Sequence, residues 1–223
     1  MGKVDVPYAY MRGLSAFFGV ALVPISYLTL RALGCHSATG LLVSMLIIFE
    51  NGLITQSRHI FLDSGLIFFM ALSILAWVRF CNESTRPFSR AWWMWLATTG
   101  LSLGATVSYK WVGLFTIATI GLGTAKQLWE LLGDLNVSPS VWIQHFAARS
   151  LCLIIQPIAL YMATFYVHLA IVIEQGKHAE LHSRAFQTTL RGQGMQDTFA
   201  GKAQRRSYSE LTNYLMSRCC LWV

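Results

Sequence analysis

The chain has little charge. Only 12% of its 223 residues are Asp, Glu, Lys or Arg, about half of the roughly 25% that a soluble domain carries. So few charges cannot cover the surface of a globule, which excludes an ordinary soluble domain. Acids are scarcer still, at 10 Asp and Glu against 17 Lys and Arg. The cysteines, Cys35, Cys81, Cys152, Cys219 and Cys220, lack CxxC spacing and a His at zinc-ligand distance. That argues against a disulfide framework or a zinc site. Cys152 reads as a span residue, and Cys81 suits juxtamembrane palmitoylation only weakly. A cleavable signal peptide is not visible, because the first apolar run is too long for a signal h-region. Nor does any basic run carry the aromatic interleaving of a nucleic-acid surface, so the net charge of +7 belongs to loops that orient spans and meet anionic head groups.

What the sequence has is hydrophobicity, 55% of residues, in bilayer-length runs. A span needs about 20 mostly apolar residues. Gly13 to Leu30 qualifies, with Pro24 inside it. Ala38 to Phe49 is short and ends at Glu50. Leu66 to Val78 is also short unless it begins at Ile60 and takes in Asp63. Trp92 to Tyr109 is rich in small residues that permit close packing, among them Gly100, Ser102, Gly104 and Ala105. Trp111 to Trp129 follows, then Ala147 to Ile173 with Pro157 in its middle. The expectation is an all-α, polytopic membrane bundle of about six spans over residues 1–173. Tryptophans at the run ends mark interfaces. Residues 174–223 are polar, with a helical turn expected at Ser183 to Leu190 and little order beyond.

Comparing alternate loops, Arg31, Arg79, Arg86, Arg90, Lys126 and Arg149 form the larger basic set and are expected on the cytosolic side. The nominal sequons Asn82-Glu83-Ser84 and Asn136-Val137-Ser138 fall on that side, the second discounted by Pro139. On the opposite side stand Arg12, Glu50 with Asn51, the stretch Thr55 to His59 with Arg58, Asp63, and Lys110. Each has an ordinary explanation. Arg12 and Arg58 could snorkel, Lys110 could be a turn lysine, and Asp63 could cap a helix. Three cations and two acids on one face weaken those explanations as a group, since charges at membrane depth are costly unless paired or used. They suit a phosphate-bearing lipid.

The strings "ENGLITQSRHIFLDS" (50–64), "SYKWVGLFT" (108–116), "LGDL" (132–135), "FYVHLAI" (165–171) and "RAFQTTLRGQGMQDT" (184–198) resemble the protein O-mannosyltransferases of the endoplasmic reticulum. With "PYAYMRGLSAFFG" and "FCNE...RPFSRAWWMWLATTGLSLGA", the chain looks most similar to the fungal subfamily numbered second. The resemblance covers roughly residues 5–200. It implies a partial GT-C fold that moves mannose from dolichyl phosphate mannose to Ser or Thr of secretory proteins by inverting displacement, with no cofactor and no metal. Carried over residue by residue, Arg12, Arg58 and Lys110 are assigned to the donor phosphate, Asp63 to support of the sugar or cations, and Glu50 to fixing Arg58. His168 matches a family histidine and is a further candidate, though a satisfied interfacial histidine is the simpler reading. The resemblance also implies pairing with a sister transferase in the endoplasmic reticulum membrane.

The family's presumed catalytic base comes from an Asp-Glu pair in a luminal loop. No such pair occurs here, so no base is assigned and a partial copy is expected. Residues 174–200 would be a luminal juxtamembrane segment. Residues 201–223 resemble nothing at that point of the family and read as an out-of-frame or mis-spliced tail. The alternatives are a non-catalytic membrane fragment or partner subunit that binds a lipid phosphate or a sister transferase, and a transporter, which charges gathered on one face disfavour.

Overall fold

The computed structural model describes residues 8–59, 62–134 and 138–171, and every described element is helical. The expectations for residues 174–200, for 201–223 and for the turn at Ser183 to Leu190 lie outside those residues. By contacts the chain divides into two units, 1–160 and 161–223.

In the first unit, α1 runs Tyr8–Ala32, α2 Ser37–Phe49 and α3 Asn51–Arg58. They are followed by α4 (Leu62–Asn82), α5 (Arg90–Tyr109), α6 (Leu114–Gly133) and α7 (Pro139–Ser150). A π-helical turn at Leu151–Ile155 joins α7 to α8, Gln156–Ile171. Long helices joined by short connections put the start of α1, the end of α3, the start of α4 and the end of α5 at one end of the unit.

α4 and α5 are the most buried elements. Trp92, Leu96, Thr99, Gly100, Ser102, Leu103, Gly104 and Thr106 are all buried on α5. Its hydroxyls are satisfied within the helix: Thr99 Oγ1 donates to Trp95 O at 2.8 Å and Thr106 Oγ1 to Ser102 O at 2.7 Å. That back-bonding lets small polar residues sit where no water reaches. Ser89 caps the helix by accepting from Trp92 N at 3.1 Å. Phe80, Trp92, Leu96, Ala148 and Cys152 form the hydrophobic core beside it. Large apolar residues elsewhere face outward, including Leu41, Leu42, Met45, Leu46 and Phe49 of α2, a patch suited to lipid rather than water.

Fewer helices are long and apolar enough to cross a membrane than the six spans expected. Three stretches are long and apolar enough to cross a membrane, Ala9–Ala32, Leu62–Thr85 and Pro139–His168. The bent pair Ser37–Phe49 and Asn51–Arg58, kinked by 57°, makes up to four. The expected spans on α5 and α6 are not among them. Ser, Thr and Gly lower the hydropathy of α5 and pack against neighbouring helices. α6 carries Lys126, Gln127 and Glu130 in its second half. The last span also begins earlier than expected, at Pro139 rather than Ala147, because Ser138 and Pro139 form a ready helix start.

At the end of the bundle away from Lys110, Asn82 Nδ2 donates to Ala32 O at 2.7 Å, tying α4 to α1. With the basic residues Arg79, Arg86 and Arg90 around it, this end is expected on the cytosolic side. Asn82 should therefore stay unmodified on translation into microsomes. A glycosidase-sensitive mobility shift that disappears in Asn82→Gln would show the chain inverted.

The described part of the second unit is the end of α8. There the Tyr161 and Phe165 rings meet edge-on at 4.6 Å, Thr164 Oγ1 donates to Tyr161 O at 2.7 Å, and His168 lies in the last turn.

Candidate functional site

α5 ends because Lys110 is extended, at φ −152° and ψ 147°. A short 3₁₀ turn, Trp111–Gly113, then reverses the chain into α6. Only glycine suits position 113, since a Cβ there would lie 2.9 Å from Thr106 backbone carbon. This corner places Lys110 over the first turn of α4, where its Nζ forms an ion pair with Asp63 Oδ1. The side chains are 27% and 33% exposed, so the pair is partly screened yet stays reachable. Asp63 also favours the helix start electrostatically, as an acid in the first turn of α4.

A wall of rings backs the pair. Tyr109, the neighbour of Lys110, packs so closely over Gly65 that a Cβ there would lie 2.4 Å from the ring. Phe69 stands 5.5 Å from Tyr109 between centroids, and Phe18 of α1 stands 5.7 Å from Phe69. The sequence reading overlooked Tyr109 and Gly65, although each lies within two residues of an assigned charge.

Arg12 and Arg58 come together beside this corner. Arg12 Nε donates to Arg58 O at 3.4 Å, joining the start of α1 to the end of α3. Both side chains are exposed, and among the described residues neither has an ion-pair partner. Gly19 supports the same junction, since a Cβ there would meet Ser57 Cβ at 2.5 Å.

The expected pairing of Glu50 with Arg58 does not occur. Glu50 is the extended residue at the break between α2 and α3, and its carboxylate accepts from Gly52 N at 3.3 and 3.4 Å. It caps the start of the helix whose other end carries Arg58, about 12 Å along the axis. Glu50 therefore aims α3 and does not neutralise Arg58. His168 lies in the second unit and is described only there. The structure thus joins Asp63 to Lys110 and Arg12 to Arg58, two cation-bearing junctions at one end of the unit. Two cations without acid partners among the described residues, beside a partly exposed ion pair, suit an anion.

Residues 2–173 match the family described as dolichyl-phosphate-mannose-protein mannosyltransferase. The Candida albicans relative called dolichyl-phosphate-mannose–protein mannosyltransferase 1 is 43% identical over 84% of this chain and 21% of its own length. The relative numbered 4 in that organism is 41% identical over 83% and 25%. The one numbered 2 is 35% identical over 84% and 25%. A solved structure of the S. cerevisiae protein O-mannosyltransferase Pmt1-Pmt2 complex bound to the sugar donor superposes with a TM-score of 0.79 at 33% identity. That likeness covers 87% of this chain and 26% of the other. The chain spans about a quarter of the length of the curated relatives it matches. With a family match over most of its residues and the same arrangement of helices, this multi-pass membrane chain belongs to the dolichyl-phosphate-mannose–protein mannosyltransferase family.

Proposed function

We propose that this chain carries the donor-phosphate end of a protein O-mannosyltransferase, which moves mannose from dolichyl phosphate mannose to Ser and Thr hydroxyls of secretory proteins at the endoplasmic reticulum membrane. One observation carries the reading: the half-exposed Lys110–Asp63 pair at the same end of the bundle as Arg12 and Arg58. Lys110, Arg58 and Arg12 stabilise charge that builds on the departing lipid phosphate. Asp63 holds Lys110 in place and, with its charge engaged, positions rather than accepts a proton. Glu50 aims α3 so that Arg58 faces the same end. The acceptor hydroxyl loses its proton to a general base, a task given to none of these residues. His168 remains a further candidate, with no role assigned.

Residues 1–173 form the transmembrane part in this reading, 174–200 a luminal juxtamembrane segment and 201–223 a tail outside the family pattern. The placement with the fungal second subfamily rests on the strings "PYAYMRGLSAFFG" and "RPFSRAWWMWLATTGLSLGA" alone. A sister transferase is the expected partner, by analogy with the paired complex.

The test is binding of a short-chain dolichyl phosphate mannose analogue to the chain in nanodiscs. Arg58→Ala should weaken binding about 10-fold, the value of one charge-assisted phosphate contact. Arg90 opens α5, about 30 Å along that helix from Lys110, and Arg90→Ala should bind like wild type. Equal losses at both positions would reduce the site to general attraction of anionic lipid.

A further inference from the structure

The end of the bundle opposite Lys110 holds a second polar feature, unused by donor chemistry. A cavity of about 520 Å³ opens where the end of α4, the last turns of α6 and the middle of α7 meet, lined among others by Phe80, Gln127, Glu130, Asp134, His145 and Arg149. Its volume lies in the range of small-molecule sites.

Arg149 and His145 are only 8% and 7% exposed. Arg149 Nε and Nη1 and His145 Nδ1 are fully enclosed and have no hydrogen-bond partner. The Arg149 guanidinium has the Phe80 ring 5.4 Å from its Cζ. That contact favours the cation but makes none of its hydrogen bonds. A buried cation with unmade N–H groups loses its hydration without replacement. Such a cost persists where a ligand supplies the missing acceptors.

The rim is acidic on balance. Glu130 and Asp134 line the cavity and are exposed, against one lysine, Lys126, whose Nζ lies 3.8 Å from Glu130 Oε1. Two carboxylates at the mouth oppose entry of a free anion, yet they suit a ligand whose anionic group is followed by a cation. The rim also lies at interface depth, as the exposed Trp129 beside Glu130 and the exposed Trp93 at the start of α5 indicate.

Phe88 adds support. Its φ of 61° is the one positive value at a non-glycine residue among those described, a conformation unfavourable for a bulky side chain. It seats the ring 4.7 Å from His145 and 5.2 Å from Trp92, which holds the imidazole against the cavity.

We propose that this cavity binds the head group of a zwitterionic phospholipid. The Arg149 and His145 side chains turn their unmet N–H groups to the entering phosphate, which accepts from them, and the ammonium lies against Glu130 and Asp134. The site is separate from the donor end, and its test does not depend on the mannosyltransferase reading.

Native mass spectrometry of the purified full chain, titrated with short-chain phosphatidylethanolamine, phosphatidylglycerol or inorganic phosphate, tests it. One phosphatidylethanolamine should be retained in preference to phosphatidylglycerol, and millimolar phosphate should not displace it. Arg149→Gln should weaken retention about 10-fold. Glu130→Gln with Asp134→Asn should keep lipid binding but erase the preference for phosphatidylethanolamine. Without lipid, Arg149→Gln should unfold at or above the wild-type temperature, because it removes an unmet buried charge. Undiminished retention in Arg149→Gln, equal binding of the two lipids, or displacement by phosphate would each overturn the proposal. So would a lower lipid-free melting temperature in Arg149→Gln, which would make Arg149 a brace of the bundle itself.

Discussion

Alanine at Lys110 is expected to lower affinity for the donor analogue about 10- to 100-fold, the range for a charge-assisted contact to phosphate. Alanine at Asp63 should act differently. Lys110 Nζ and Asp63 Oδ1 form an ion pair, and removing the acid leaves a cation in a half-buried corner without its partner. Breaking a fully buried pair on one side costs about 3–5 kcal/mol. The exposure of about a third discounts this to roughly 1–3 kcal/mol. The double replacement Asp63→Ala with Lys110→Ala should recover most of that stability, because no orphaned charge remains. It should still bind donor no better than Lys110→Ala alone. The two sites are in contact, so such non-additivity is the expected signature of an acid that acts through its lysine. Thermal unfolding and analogue binding on the same four proteins separate the two effects. Donor binding in the double variant that falls well below Lys110→Ala would show that Asp63 touches the donor itself.

The pairing of Asp63 with Lys110 was only partly legible in the sequence. Run lengths put both residues at the same membrane face, because each sits at an end of an apolar stretch. Position along a run cannot say which charges meet across helices. That depends on rotation about the helix axes, which here is fixed by the Tyr109 ring over Gly65. The Glu50–Arg58 expectation failed for a related reason. Eight residues of extended or looped chain could fold back on themselves, whereas eight residues of α3 hold the two charges about two turns apart. Residues 51–58 mix Gly, Thr, Gln and Ser with only two apolar side chains, Leu53 and Ile54, so this short helix gave no clear helical signal.

The span boundaries show the same division. α1 was visible as a long apolar run, and α4 as a shorter one that reached span length only by taking in Asp63. α5 was visible as a run whose Ser, Thr and Gly permit close packing, and those residues are buried against its neighbours. Arg149 departs from its expected setting. The loop comparison counted it among the charges of a connecting loop, yet it is buried on α7. A single arginine within an otherwise apolar run, four residues after a histidine, was the available signal.

Alanine at Gly100 is expected to be among the most damaging single-methyl changes in the chain. A Cβ at Gly100 would lie 1.9 Å from Cys152 O, 3.0 Å from Cys152 C and 2.7 Å from Gln156 Oε1. Cys152 lies in the π-helical turn Leu151–Ile155, where the wider backbone bulges toward α5. The clash is with main chain, so a change of rotamer cannot relieve it. α5 or the π turn must shift by an ångström or more. Overpacking that moves backbone costs at least about 3 kcal/mol, a large share of a total stability of roughly 5–15 kcal/mol. The displacement would also carry Lys110, at the far end of α5, away from Asp63. Gly104→Ala should be milder, because its nearest neighbours are Pro157 Cα at 3.0 Å and two Leu160 side-chain atoms at 3.1 Å. Gly121, in α6, has nothing within 4 Å of a Cβ, so alanine there should be neutral or stabilise the helix by up to about 1 kcal/mol. Detergent-titration unfolding of the three variants should rank Gly121 at or above wild type, Gly104 below it, and Gly100 lowest with much reduced folded yield. If Gly100→Ala unfolded together with Gly121→Ala, the close approach of α5 to the π turn would be wrong, and with it the placement of the helix that carries Lys110.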